Sequence, residues 1–96
     1  MAGNNTGSGC NPTMTNVTGT GKDGTDNSGL YVNYGTSLID RSTFDGSTNS
    51  IYNDGTVNIG GSKLVSAAKN GSGTYNCVFV YKYISSTLSS ADGSCN

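Results

Sequence analysis

The sequence predicts an all-β fold: a small antiparallel meander closing into a sandwich or barrel, with an extended N-terminal arm. Three observations point there. The 96 residues contain no Glu, no Gln and few Leu or Ala, so a helical domain lacks its usual builders. Asp-Gly, Asn-Gly and Gly-Gly pairs recur at close intervals between short apolar runs, and such pairs suit turns that need positive φ. Residues around Val57 and Ile59 alternate apolar with polar, the period of a half-buried strand.

Taken in order, the chain divides near Gly29. Residues 1–29 carry only Met1, Met14 and Val17 as sizeable apolar groups. Such a stretch buries too little surface to offset the entropy of ordering it, so it reads as an extended polar arm. A β domain follows over residues 30–88. Leu30, Tyr31, Val32 and Tyr34 open it, and strands are expected over 30–34, 36–44, 48–53, 56–60, 63–68 and 74–84. Gly35-Thr36, Gly55-Thr56 and Gly73-Thr74 mark three strand entries, each with a β-branched residue after the turn. Their intervals are uneven, which argues against a solenoid repeat. In the last strand Tyr75, Cys77, Phe79, Tyr81 and Tyr83 would face one way and Val78, Val80 and Ile84 the other. Apolar on both faces, it is expected at the centre of the fold or against another subunit. Residues 89–96 read as a flexible tail.

Composition bounds the chemistry. The sequence has no His, which removes Ser-His-Asp and Cys-His nucleophile systems and any His-ligated metal. Five Lys/Arg against six Asp are scattered, so no basic face presents itself to nucleic acid. No apolar run reaches the length of a membrane-spanning helix. Met1–Cys10 has neither a basic start nor an apolar segment, so it is not read as a secretory signal. The chain is expected to be no enzyme, with no catalytic residue, no metal and no cofactor, and to bind neither nucleic acid nor membrane.

Several weaker motifs are present. Asp23 and Asp26 with Asn27 and Ser28 offer oxygens for calcium, but the EF-hand order is absent and turn chemistry explains the cluster. Asp40 and Asp45 read as surface charges, since no cleft or Trp platform accompanies them. Thr13-Met14-Thr15 and Thr18-Gly19-Thr20 resemble the Thr-x-Thr elements of ice-binding solenoids, without repetition over many rungs. Cys10, Cys77 and Cys95 allow three pairings. Cys77 reads as a buried free thiol, and Cys10 with Cys95 as the possible disulfide.

A 60-to-70-residue β domain stands near the lower size limit for independent stability, so self-association is the expected staple. Met14, Val17, Tyr31, Tyr34, Tyr81 and Tyr83 are the candidate interface residues, since Tyr can bury its ring and keep its hydroxyl wet. In general character (short, β-rich, weakly charged, rich in Gly, Ser, Thr and Asn, with a polar N-terminal arm) the chain resembles the capsid decoration, or cement, proteins of tailed phages. That resemblance implies a structural virion protein on the outer capsid surface, with the major capsid protein as partner. It implies a homo-oligomer, a trimer above others, whose arms cross neighbouring subunits and lock the shell. The alternatives are a secreted, extracellular surface-fibre or adhesin subunit and, behind it, a carbohydrate- or ice-binding module.

Overall fold

The computed structural model describes residues 5–6, 11–21, 28–47, 49–66 and 71–96. These residues form strands and turns and no helix, so the all-β class stands. The strands are β1 (Asn5–Thr6), β2 (Thr13–Thr15), β3 (Thr18–Gly21), β4 (Ser28–Val32), β5 (Thr36–Asp40) and β6 (Thr43–Gly46). They continue as β7 (Asn49–Asn53), β8 (Thr56–Gly60), β9 (Lys63–Ser66), β10 (Thr74–Val78), β11 (Tyr81–Ile84) and β12 (Thr87–Ser90).

Their pairing corrects the expected meander. Face I has the order β1-β4-β7, face II β10-β8-β5-β2, and face III β12-β11-β9-β6-β3. Among the described residues every pairing is parallel except β11 with β12. The chain is therefore a coil that visits the three faces in turn and stacks each turn on the one before. It is neither a sandwich nor a closed barrel. The turn pairs do not fold a strand back on its predecessor. They bend the chain from one face to the next, and the hydrogen-bond partner lies one coil away.

The three Gly-Thr entries are the repeat. Thr36 pairs with Thr56, and Thr56 with Thr74, at the start of β5, β8 and β10. Their intervals are uneven because the coils change length at their loops, while the step from face II to face III stays constant. It runs from Thr13 to Thr18, Leu38 to Thr43, Asn58 to Lys63 and Asn76 to Tyr81.

That constant step turns on one residue per coil. Asn16, Arg41, Gly61 and Phe79 take φ of 55°, 47°, 53° and 52°, the left-handed bend that carries the strand around the corner. The expected strands 36–44 and 74–84 are each broken there. Beneath the bend sit the buried Ser42 and Ser62. Ser42 Oγ accepts the Val17 N–H at 3.1 Å and donates to the Asp40 carbonyl at 2.9 Å. Ser62 Oγ accepts the Ser42 N–H at 3.0 Å and donates to the Gly60 carbonyl at 2.8 Å. Each hydroxyl thus satisfies an amide of the coil below, part-buried at Val17 and buried at Ser42.

The interior is a stack of apolar rows. Ile39, Ile59 and Cys77 form one on face II, with Met14 at its foot. Leu30 and Ile51 come from face I, and Phe44 and Leu64 from face III. Each fully buried aliphatic contributes roughly 1.5–3 kcal/mol. Faces I and III cross closely, because a Cβ on Gly19 would collide with the Gly29 carbonyl and one on Gly29 with the Asp45 amide.

Both ends differ from expectation. Within the stretch read as an arm, Thr13–Thr15 and Thr18–Gly21 are the first strands of faces II and III, in register with β5 and β6. The 89–96 segment is fastened to the last coil. Ala91 donates to the Val80 carbonyl and Cys77 to the Gly93 carbonyl, both at 2.9 Å. Cys95 is disulfide-bonded to Cys77, with Cα atoms 5.5 Å apart. This corrects the free thiol at Cys77 and the Cys10–Cys95 pair, because the inward row of face II ends on Cys77 directly beneath the returning chain. Cys10 lies outside the described residues.

Candidate functional site

Face II presents a concave surface. In a parallel stack, outward side chains form rows across the strands. One row is Thr36, Thr56 and Thr74. The next is Thr13, Leu38, Asn58 and Asn76, and the third is Thr15, Asp40, Gly60 and Val78. The second and third rows line a shallow groove of about 570 Å³. Within it Asn76 Nδ2 donates to Asn58 Oδ1 at 2.8 Å. Asp40 Oδ2 accepts from Arg41 Nε at 3.1 Å, an exposed pair of small energetic value. Leu38 and Val78 stand out of the groove floor as exposed apolar groups. Hydroxyls, amides and one carboxylate beside apolar patches equip this face for contact with a surface or an uncharged polymer.

The second feature is the apolar corner of the last coil. Val78, Phe79 and Tyr81 are exposed there, and Phe79 and Tyr81 line a hollow with Val80, Ser90 and Ala91. On face III the Lys63 ammonium lies 4.9 Å from the centre of the Tyr83 ring, and Leu88 pairs across from Tyr83 in β12.

The expected interface residues are spread over the coil. Tyr31 is on face I, stacked on Tyr52 with ring centres 5.0 Å apart and planes 6° apart. Tyr34 lies in the turn between faces I and II. Met14 is half-buried under face II, and Val17 sits at the first corner. Tyr81 and Tyr83 share the outer side of β11. Only this last pair is brought together on one side of one strand. Sequence reasoning missed Leu38, Asn58, Asn76, Val78 and Phe79, and the Gly-Thr intervals would have aligned the first four into rows.

The remaining motifs are dispersed or lie outside the described residues. Asp40 and Asp45 project from faces II and III, so they form no carboxylate pair. Thr13 and Thr15 are on face II while Thr18 and Thr20 are on face III, and the register sets Leu38 and Asp40 above the first pair. Asp23, Asp26 and Asn27 lie outside the described residues. Among the described residues no three His, Cys, Asp or Glu side chains gather as a metal site, and no helix is long and apolar enough to cross a membrane. Comparison with protein-family models, with curated proteins and with solved structures found no match.

Proposed function

We propose that the chain is a structural module of an exterior assembly, a subunit of a surface fibre or adhesin, acting by binding and not by catalysis. The observation that carries this reading is the parallel three-face coil fastened at its last turn by the Cys77–Cys95 disulfide. Coils stacked in one dimension extend a continuous binding surface along their length. A disulfide-fastened coil belongs in an oxidising setting, which secreted proteins, cell surfaces and virion surfaces provide. The outward rows of face II, built from hydroxyls, amides and isolated apolar groups, fit contact with a surface more than capture of an ion.

The capsid-decoration reading draws on the same disulfide. It is favoured by the exposed Val78–Phe79 corner, which would sit on a major capsid protein. Fractionation of the native source separates the two readings. A surface-fibre subunit sediments with filaments or envelope under non-reducing conditions, and a decoration protein sediments with intact particles. Recovery as a free chain with Cys77 and Cys95 reduced would overturn both.

A further inference from the structure

The last coil treats its two sheet edges differently. On face II the edge of β10 is covered by the chain itself, since Cys77 donates to the Gly93 carbonyl and the disulfide pins that segment in place. On face III the outermost strand is β12, and no strand of the described residues lies beyond it. Thr87, Leu88, Ser89 and Ser90 are all exposed. The strand carries no charge, no proline and no bulge, the devices that usually blunt an edge. Leu88, 66% exposed, adds an apolar side chain beside Tyr83.

The hairpin fixes which groups this edge offers. Antiparallel pairs alternate between hydrogen-bonded and non-hydrogen-bonded positions. Ala91 donates to the Val80 carbonyl at 2.9 Å, and these two residues continue the register of β12 on β11. Lys82–Ser89 and Ile84–Thr87 are therefore the bonded pairs. Leu88 and Ser90 turn their N–H and C=O groups away from β11, toward the free edge. The turn that presents the strand is strained. Ser85 and Ser86 take φ of 52° and 61°, a two-residue bend for which Asn-Gly or Asp-Gly is better suited. Strain kept at an exposed element points to use more than to monomer stability.

We propose that two copies of this chain pair edge to edge through β12, antiparallel, about a two-fold axis at Ser89. In that register Leu88 exchanges both backbone hydrogen bonds with the partner's Ser90, and Ser90 with the partner's Leu88. Every group the edge offers is then satisfied. On the outer side Leu88 lies between Tyr83 and the partner's Ser90, and Ser90 between Tyr81 and the partner's Leu88. On the other side Ser89 meets the partner's Ser89. Lys82 and the partner's Lys82 stand three strand spacings apart, roughly 14 Å. A second copy suits this edge because the register is self-complementary: it sets hydroxyl against hydroxyl, covers Leu88 and opposes no like charges. The contact is isologous, so it uses up the edge on both copies and stops at the dimer. The inference concerns the purified chain alone, so its failure and that of the location test above are separate results.

Sedimentation velocity of the oxidised full chain over a concentration series, with amide exchange measured at both ends of the series, tests it. The wild type is expected to pass from monomer to dimer and no further. In the dimer the Leu88 and Ser90 amides exchange at least about 10-fold more slowly, exceeding any change at Thr87 and Ser89, which are bonded within the hairpin already. Ser90→Pro removes an outward N–H and leaves the bonds to β11 in place, so it folds and weakens dimerisation at least about 10-fold. Ser89→Lys sets two ammonium groups face to face across the axis and weakens it too, more at low salt than at high. A wild type that stays monomeric overturns the proposal and leaves the edge to a strand of another protein. Growth past the dimer overturns it as well. So does either variant dimerising like wild type at low salt, or a dimer whose Leu88 and Ser90 amides exchange as they do in the monomer.

Discussion

Two buried serines with the same chemistry are set to behave in opposite ways. Ser37 points inward from β5 in a row with Val57 and Tyr75, and its Oγ has no hydrogen-bond partner among the described residues. Ser62 is equally buried but accepts from the Ser42 amide and donates to the Gly60 carbonyl. A buried hydroxyl without a partner costs free energy, whereas removing one that is fully bonded leaves its partner stranded. Ser37→Ala is expected to leave stability unchanged or raise it by up to about 1 kcal/mol. Ser62→Ala is expected to lower it by about 1–3 kcal/mol. Urea midpoints at constant slope measure both. The contrast tests the corner hydrogen bonds specifically, because transfer of a serine to alanine is the same in both variants.

At the scale of elements, much of the secondary structure was legible and the pairing was not. Gly-Thr entries placed the starts of β5, β8 and β10 correctly, since Thr36, Thr56 and Thr74 each follow a glycine that ends a turn. The same turns suggested hairpins, because Asp54-Gly55 reads alike whether the chain doubles back or rounds a corner. Partners one coil away leave no local mark. Their trace is an offset, 25 residues from Thr13 to Leu38, 20 from Leu38 to Asn58 and 18 from Asn58 to Asn76, and unequal offsets hide a repeat. The corner was invisible for a related reason. Arg41 and Phe79 are not residues from which a left-handed bend is inferred, so 36–44 and 74–84 read as single strands. Thr18–Gly21 reads as part of a polar arm because it carries no apolar side chain. Its place comes from backbone pairing with β6 and from glycines that let faces I and III touch. The candidate site was less legible still, since the rows of face II exist only once the register is known.

Over the whole molecule, a stack of coils is held by contacts between neighbours, which leaves its last turn the most easily frayed. Here β12 turns back antiparallel on β11, and the 91–96 segment returns over β10 to the disulfide. Cys77 and Cys95 are 18 residues apart, and closing a loop of that size stabilises by about 3 kcal/mol. Thermal melts with and without reductant are expected to show a clear loss of stability on reduction, shared by Cys95→Ser and absent in that variant when reductant is added. The disulfide reaches across the last coil only because parallel stacking sets the inward row of face II beneath the returning chain. The most direct measurement of that stacking is the pattern of inter-strand nuclear Overhauser effects in the oxidised protein. Parallel coils predict amide and methyl cross-peaks linking Thr36 to Thr56 and Thr56 to Thr74, with close Hα–Hα pairs confined to β11 and β12 at Tyr83–Leu88 and Tyr81–Ser90. Strong Hα–Hα cross-peaks between successive strands, such as β7 and β8 on either side of Asp54-Gly55, would contradict it.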